Sequence, residues 1–284
     1  MSASPSDTCH DLVEAEDRDR ALSLAFAPAD RRGDLAALYA FNIEIAKVRD
    51  QIRQPLPGEI RLQWWRDVIA GGGSEKGAAG GGEAGHPVAS RLLQTIERHH
   101  LSKAAFDRML EARAFDLYDD PMPSREHFEA YAGETASTLI MLAATILSPA
   151  DAGQIADAAG HAGVAQTVAG VLRLLPIHRA RGQCYLPADI LAAAGCSPEV
   201  LNAGEAEPSQ RAMAAMVAFG RYHVGEARRH SRRLPKPVRA AFLPAWLASP
   251  YLDRIERSGA NVLRQSPDLS APRKVFAYWR AMRG

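Results

Sequence analysis

Long windows rich in alanine, leucine and arginine dominate the sequence, and within them the apolar residues recur at helical spacing. In the window DRRGDLAALYAFNIEIAKVRDQIR, for example, Leu35, Leu38, Ile45 and Val48 would share one face of a helix. The sequence shows no convincing pair of alternating runs and no Asn-Gly hairpin signal. This pattern predicts an all-α protein with about ten helices.

Charge and cysteine content narrow the classes of partner. The 284 residues include 34 basic and 33 acidic side chains and carry a net charge of +1, so we expect no nucleic-acid partner. The three cysteines, Cys9, Cys184 and Cys196, show no paired spacing. They predict neither a disulfide framework nor a zinc site, and they fit a reducing compartment.

The N-terminal segment MSASPSDTCHDLVEAEDRDR has no apolar core and is rich in acids, so we expect neither a signal peptide nor a transit peptide there. No uninterrupted apolar run reaches the roughly 20 residues that span a bilayer. We therefore expect a cytoplasmic protein, with at most a peripheral contact at the inner membrane.

A glycine-rich stretch, residues 71–87, interrupts the helical pattern. Its composition predicts a flexible loop within a single domain that covers residues 1–284. A phosphate-binding loop is not favoured, because no strand precedes the glycines and no Gly-Lys-Ser/Thr follows them.

The helix predicted over residues 38–51 could hold a metal only if it carried paired carboxylates. Two carboxylates four residues apart share one helical face and could bind Mg²⁺ beside a diphosphate. Here Ala46 has no ligand atom, and Asp50 follows Arg49 directly. A solvated or salt-bridged Asp50 is therefore the better interpretation.

A second stretch, residues 163–191, begins as a helix with small residues, and Pro176 should end or kink that helix. No acid occurs between Gly163 and Ala188, whereas four basic residues do: Arg173, His178, Arg179 and Arg181. Two interpretations stay open. The cations could stabilise a helix C-terminus, or they could form the basic rim of an anion pocket.

The remaining polar clusters are less specific. Asp116, Asp119 and Asp120 precede a proline and favour a helix end over a metal site. His99, His100 and His161 lack partners at ligand spacing. The C-terminal segment PRKVFAYWRAMRG predicts a basic amphipathic helix that docks on the protein, on a partner or on an anionic membrane surface.

Three motifs resemble the squalene/phytoene synthase family. ALYAFNIEIAKVRD is similar to the first aspartate-rich helix of that family, FDLYDDPMPSREHFEAYAGETAS to its central segment, and VLRLLPIHRARGQCYLP to its second aspartate-rich helix. The resemblance implies an all-α isoprenoid synthase fold, a helical bundle around a central cavity. The matching residues are Tyr39, Ala40, Phe41, Asp116, Leu117, Tyr131, Arg173, Gly182, Tyr185, Leu186 and Pro187.

The departures fall on the positions where the resemblance expects acids. Ala46, Leu174, Ile177 and His178 replace them, and Asp50 alone remains. The resemblance therefore implies a catalytically degenerate member with no catalytic residue, no metal and no cofactor. Magnesium would be expected only if the chain were an active head-to-head prenyltransferase.

The second motif and the segment FLPAWLASPYLDRI are most similar to a degenerate subgroup, the assembly factors of respiratory complex I and their bacterial relatives. The expected partner is then a complex I subunit or assembly intermediate. The alternatives are a prenyltransferase and a binding module for a prenyl lipid or quinone. The residues expected to line a pocket for a prenyl or lipid phosphate are Tyr39, Arg49, Tyr131, Gln166, Arg173 and Tyr185.

Overall fold

The computed structural model describes residues 5–52, 54–71 and 86–283, which contain α-helices, 3-10 turns and one π turn but no β-strand. The predicted all-α class is confirmed. Of the α-helices described, ten have ten or more residues. Their bounds are α1 Pro5–Glu16, α2 Arg18–Leu24, α3 Arg32–Ala46, α4 Pro55–Ala70, α5 Pro87–His99, α6 Lys103–Arg113, α7 Arg125–Ala132, α8 Thr138–Leu147, α9 Pro149–Ala152, α10 Ala156–Arg173, α11 Leu175–Ala180, α12 Ala188–Ala193, α13 Pro198–Ala203, α14 Ala206–His230, α15 Leu243–Trp246, α16 Ala248–Ser258 and α17 Ala271–Arg283.

The chain divides into two compact units. Unit 1 comprises Met1–Tyr118, Thr138–Gln154 and Pro235–Ala241, and unit 2 comprises Asp119–Ser137, Ile155–Leu234 and Phe242–Gly284. The assignment of residues 1–284 to a single domain stays a prediction. In the glycine-rich stretch, Gly71 ends α4 with a φ of 87° and Pro87 begins α5. Residues 72–85, on which the flexible-loop prediction falls, lie outside the described residues.

Helix α3 is the buried centre of unit 1. Every residue from Asp34 to Ile43 is buried, because the helix is almost entirely apolar around its circumference. Phe41 lies between two other aromatic rings, with centroids 5.1 Å from Trp65 and 5.3 Å from Phe106, both edge to face. These three rings are fully buried and form the aromatic cluster of unit 1.

Asp34 is the buried charged residue of α3, and basic residues of α5 neutralise it. The carboxylate is 1% exposed and lies 2.6 Å from Arg91 Nη2, 2.8 Å from His99 Nε2 and 3.3 Å from Arg98 Nη1. A buried carboxylate needs such partners, since an unpaired ion in a protein interior is strongly destabilising. His99, which lacks a partner at local spacing, is therefore a structural residue.

In unit 2 the packing of α10 depends on glycine. A Cβ atom on Gly163 would lie 2.5 Å from the backbone nitrogen of Ser137 and 2.7 Å from its Cα. Ser137 belongs to the π turn Gly133–Ser137, so two backbones meet here without an intervening side chain.

We predict that Gly163→Ala lowers the free energy of unfolding by about 1–3 kcal/mol, the usual range for an overpacked contact. The added methyl group would also meet the Ser137 hydroxyl, which can rotate, but the backbone atoms of Ser137 cannot rotate away. Chemical denaturation measures the change. Gly170→Ala is the matched control on the same helix, because no atom lies within 4 Å of the position that its methyl group would take, and alanine favours helix over glycine. Equal effects of the two substitutions would contradict the close approach.

All three cysteines are buried free thiols. Burial raises the pKa of Cys9 and of Cys184 to about 11, and it also raises the pKa of Cys196. At neutral pH these side chains are therefore protonated and act as small apolar core residues.

Among the described residues, one helical run is long and apolar enough to cross a membrane, judged by length and composition only. Arg125–Leu147, which joins α7, the π turn and α8, has 23 residues and a mean hydropathy of 1.3 in its most apolar window. Half of that window is buried by protein, and the core helix of a globular protein passes the same test. The expectation of no uninterrupted apolar run of about 20 residues is not contradicted, because Glu134 interrupts the apolar residues of this helical run.

Candidate functional site

The first motif does not form one continuous helix. Helix α3 ends at Ala46, and Val48–Gln51 forms a 3-10 turn in which the Asp50 amide donates to Lys47 O. The predicted helix over residues 38–51 is therefore wrong in its last turn. Ile52 is extended after this turn. Gln54 is extended as well, because it precedes Pro55, the first residue of α4, and a proline disfavours helix in the residue before it.

The polar residues beside Ala46 make local contacts. Lys47 Nζ lies 2.6 Å from a carboxylate oxygen of Glu16, and Arg49 Nη1 donates to Ile52 O at 3.3 Å. Tyr39 is buried beneath the Arg20 guanidinium, 5.6 Å from the ring centroid, and burial raises the pKa of its phenol to about 12. Tyr39 and Arg49 both belong to unit 1.

The second motif ends α10 as the sequence predicts. Arg173 is the last residue of α10, and Pro176 lies in the first turn of α11. Leu174 and Ile177, which stand where the resemblance expects acids, are 45% and 41% exposed. Their side chains offer no oxygen or nitrogen ligand, so this turn presents apolar surface where a metal would need carboxylates.

Arg173 lies in a cluster of charged and aromatic groups within unit 2. Its guanidinium stacks on the Tyr251 ring, 3.8 Å from the centroid, and lies 3.7 Å from an oxygen of Asp268. Lys274 Nζ and Tyr251 OH each reach the same carboxylate at 2.9 Å. Desolvation raises the pKa of Asp268, but hydrogen bonds from Lys274, the Leu269 amide and Tyr251 outweigh it, and the pKa lies below its ordinary value.

Arg179, another residue of the proposed basic rim, donates to three backbone carbonyls, those of Leu201, Asn202 and Leu263. Because its guanidinium donates to these carbonyls, Arg179 links α11 to the segments that contain them. These contacts favour the structural interpretation of Arg179 over a place in an anion rim.

Three of the predicted residues in unit 2 do come together. The ring of His178 lies 4.6 Å from that of Tyr185, which in turn lies 6.5 Å from that of Tyr131. Gln166 is half-buried on α10. Asp116, from the acidic cluster, is buried and pairs with Arg113 at 2.9 Å, whereas Asp119 and Asp120 are exposed.

His161 lacks partners at ligand spacing along the sequence, but the fold brings partners to it from a distant helix. His161 Nδ1 lies 2.9 Å from His223 Nδ1, and ligand atoms of His161, Glu226 and His230 lie within 4.8 Å of one another. Sequence reasoning missed this cluster because its α14 residues lie some sixty positions further along the chain. The available signal was the spacing of Glu226 and His230, four residues apart on one helix.

Burial and neighbours depress the basicity of two of these histidines. Desolvation, followed by the nearby His161, lowers the pKa of His223 to about 4. Desolvation also lowers the pKa of His161, partly offset by Glu226. Neutral imidazoles can donate at one nitrogen and accept at the other.

Solved structures define the fold class. A dehydrosqualene synthase crystal structure superposes with a TM-score of 0.81 at 16% identity, covering 98% of this chain and 95% of that chain. Squalene synthase HpnC from Alicyclobacillus acidocaldarius superposes with a TM-score of 0.73 at 20% identity, covering 90% and 94%. The chain therefore has the all-α isoprenoid synthase fold.

The family follows from the sequence match. A family model described as squalene/phytoene synthase matches residues 13–273. The chain belongs to the squalene/phytoene synthase family.

Proteins with similar sequences carry different names. NADH dehydrogenase (ubiquinone) complex I, assembly factor 6, from Rattus norvegicus is 29% identical over 259 residues, covering 91% of this chain and 76% of the relative. The Homo sapiens protein of the same name is 27% identical with the same coverage. Chloroplastic phytoene synthase 2 from Solanum lycopersicum is 27% identical over 205 residues, covering 67% of this chain and 65% of the relative.

Proposed function

We propose that this protein supports the assembly of respiratory complex I and does not act as a prenyltransferase. The relatives named as complex I assembly factors match over about nine-tenths of the chain, whereas the phytoene synthase matches over 67% of it. The partner is then a complex I subunit or an assembly intermediate, met through a peripheral contact at the inner membrane.

The observation that carries the proposal is the chemistry at the end of α10. Leu174 and Ile177 are apolar and exposed, and His178 packs against Tyr185. Magnesium requires several oxygen ligands and has little preference for imidazole. These residues, together with Ala46, do not fit the magnesium cluster that the family fold implies.

The consequence for catalysis is large. Metal ions stabilise the charge of a leaving group by several kcal/mol, and each 1.36 kcal/mol is a factor of ten in rate. Asp50 alone, on a 3-10 turn, cannot replace two sets of carboxylates. A family member without these ligands retains the helical scaffold, which remains available for binding another protein.

Deleting the gene is expected to lower NADH:quinone activity and complex I abundance while isoprenoid products stay unchanged. An Asp50→Ala variant should restore complex I to the wild-type level, because Asp50 has no metal to hold. Native-gel quantification of complex I and lipid profiling of the same cells measure both outcomes.

Two results would contradict the proposal. Normal complex I with loss of a carotenoid or hopanoid product would favour the prenyltransferase alternative. A prenyl lipid or quinone that co-purifies with the wild-type protein, with complex I unaffected by deletion, would favour the binding module. Failure of a stably folded Asp50→Ala protein to restore complex I would show that this carboxylate has a function.

A further inference from the structure

A group of histidines and carboxylates lies on α10 and α14 in unit 2, at a place on α10 that precedes the second motif. His161 comes from α10, and Glu226 and His230 come from successive turns of α14. We propose that His161, Glu226 and His230 bind a divalent transition-metal cation, with Zn²⁺ the best match.

The ligand set determines the class of metal. Two imidazole nitrogens and one carboxylate oxygen suit Zn²⁺ and its borderline neighbours, whereas Mg²⁺ and Ca²⁺ favour oxygen alone. Three protein ligands leave one tetrahedral position for water. This set differs in residue type and in place from the degenerate motif positions at Ala46 and at 174–178.

The spacing of the ligand atoms is close to that of a zinc site. Ligand atoms about 2.1 Å from a tetrahedral metal are roughly 3.4 Å apart. The three atoms here lie within 4.8 Å of one another, and His230 Nε2 is 4.0 Å from a Glu226 oxygen. The rings of His161 and His230 are stacked, with centroids 5.7 Å apart and an interplanar angle of 21°, so one ring must turn for both lone pairs to meet at a metal. His230 is one-third exposed and has the space to turn.

A hydrogen-bonded chain behind His161 fixes the tautomer that a ligand needs. His223 Nε2 lies 3.2 Å from Glu129 Oε1, and a carboxylate only accepts, so His223 donates from Nε2. His223 Nδ1 must then accept, and His161 donates to it from Nδ1 at 2.9 Å. His161 Nε2 is left with its lone pair. Metal-binding histidines characteristically donate their other nitrogen to such an outer partner.

Among the residues that the structure describes, two further carboxylates and one arginine contact the cluster or the histidine behind it. Asp157 lies 3.7 Å from His230 Nδ1 and is 80% exposed, and Glu129 carries the second negative charge. Arg229 pairs with Glu226 but is 63% exposed, so it can swing into solvent when a cation takes the carboxylate. The surrounding charge therefore favours a cation.

Titration of the metal-free, full-length protein with ZnCl₂ tests the proposal by calorimetry. We expect one Zn²⁺ per chain. His161→Ala and His230→Ala should each weaken binding by more than the roughly 10–100-fold loss that removal of an outer partner causes. Glu129→Ala, which removes only the outer carboxylate, should fall within that range. Co²⁺ in the wild-type protein should show the visible absorption of a tetrahedral site.

His127→Ala is the matched control, because His127 is an exposed histidine of unit 2 outside the cluster. It should bind Zn²⁺ as tightly as the wild type. Unchanged Zn²⁺ affinity in a folded His230→Ala protein would overturn the proposal. A loss of Zn²⁺ affinity in the His127→Ala protein instead would overturn it as well. Circular dichroism establishes folding, and His230, at the end of α14, is the substitution that disturbs the core least.

Discussion

Replacing Asp34 with asparagine is expected to lower the free energy of unfolding by about 3–5 kcal/mol, the range for removing one partner of a buried ion pair. The amide keeps the size of the side chain but removes its charge. Arg91, whose side chain is 12% exposed, would then face no carboxylate at 2.6 Å. The amide keeps a single oxygen, so Arg91 and His99, which bond different oxygens of Asp34, could not both retain an acceptor.

The stabilisation that Asp34 provides should decrease as the pH falls. Desolvation raises the pKa of Asp34, but the hydrogen bond from His99 and the charges of Arg91 and Arg98 lower it further, to below the ordinary value of 3.8. The stabilisation is therefore complete above pH 3.8 and is lost as the pH falls through the lower folded-state pKa. Urea denaturation at neutral and acidic pH would show the difference between the two proteins shrinking.

Asp30→Asn is the control for Asp34. Asp30 is 72% exposed and pairs with the neighbouring Arg31, so its removal should change stability by less than about 1 kcal/mol. Equal losses at the two positions, or a difference independent of pH, would contradict the assigned role of the buried carboxylate.

Truncating Phe41 to alanine is expected to destabilise the protein by about 3–5 kcal/mol. The ring is fully buried and contacts Trp65 and Phe106 edge to face, so the substitution removes apolar burial and leaves a cavity between two rigid rings. Thermal and urea unfolding measure the loss. Phe41→Leu fills part of the space and should lose less.

Leu56→Ala provides the comparison for Phe41 in the same unit. Leu56 is 63% exposed at the start of α4, and its truncation should stay within about 0.5 kcal/mol. A small effect of Phe41→Ala, with the native fold retained, would mean that neighbouring side chains collapse into the vacated volume.

The sequence predicted the helices well because their apolar period is visible within each window. Helix α3 is buried nearly all round, and its run of Leu, Ala and aromatic residues could only lie in a core. The end of α3 was harder to predict from the sequence. The chain leaves the α-helix at Ala46, and the tighter turn that carries Asp50 is closed by a hydrogen bond from the Asp50 amide to Lys47 O, which the apolar period does not reveal.

Tertiary contacts explain what could not be predicted about the sites. Arg173 was correctly placed at a helix end, but its partners Tyr251 and Asp268 come from more than seventy residues away. His161 likewise meets Glu226 and His230 only because α10 packs on α14. The apolar period of the sequence shows which face of a helix a residue occupies. It does not show which residue of another helix packs against that face.

The buried cysteines have a practical consequence. Thiol reagents attack the thiolate, and burial keeps Cys9 and Cys184 protonated and shielded at neutral pH. Labelling must therefore wait for the segment around each sulfur to open. Cys9 lies in α1, Cys184 after α11 and Cys196 after α12. The rate at which each thiol is modified therefore reports how often its own segment opens. Mass spectrometry can measure the three rates without any engineered probe.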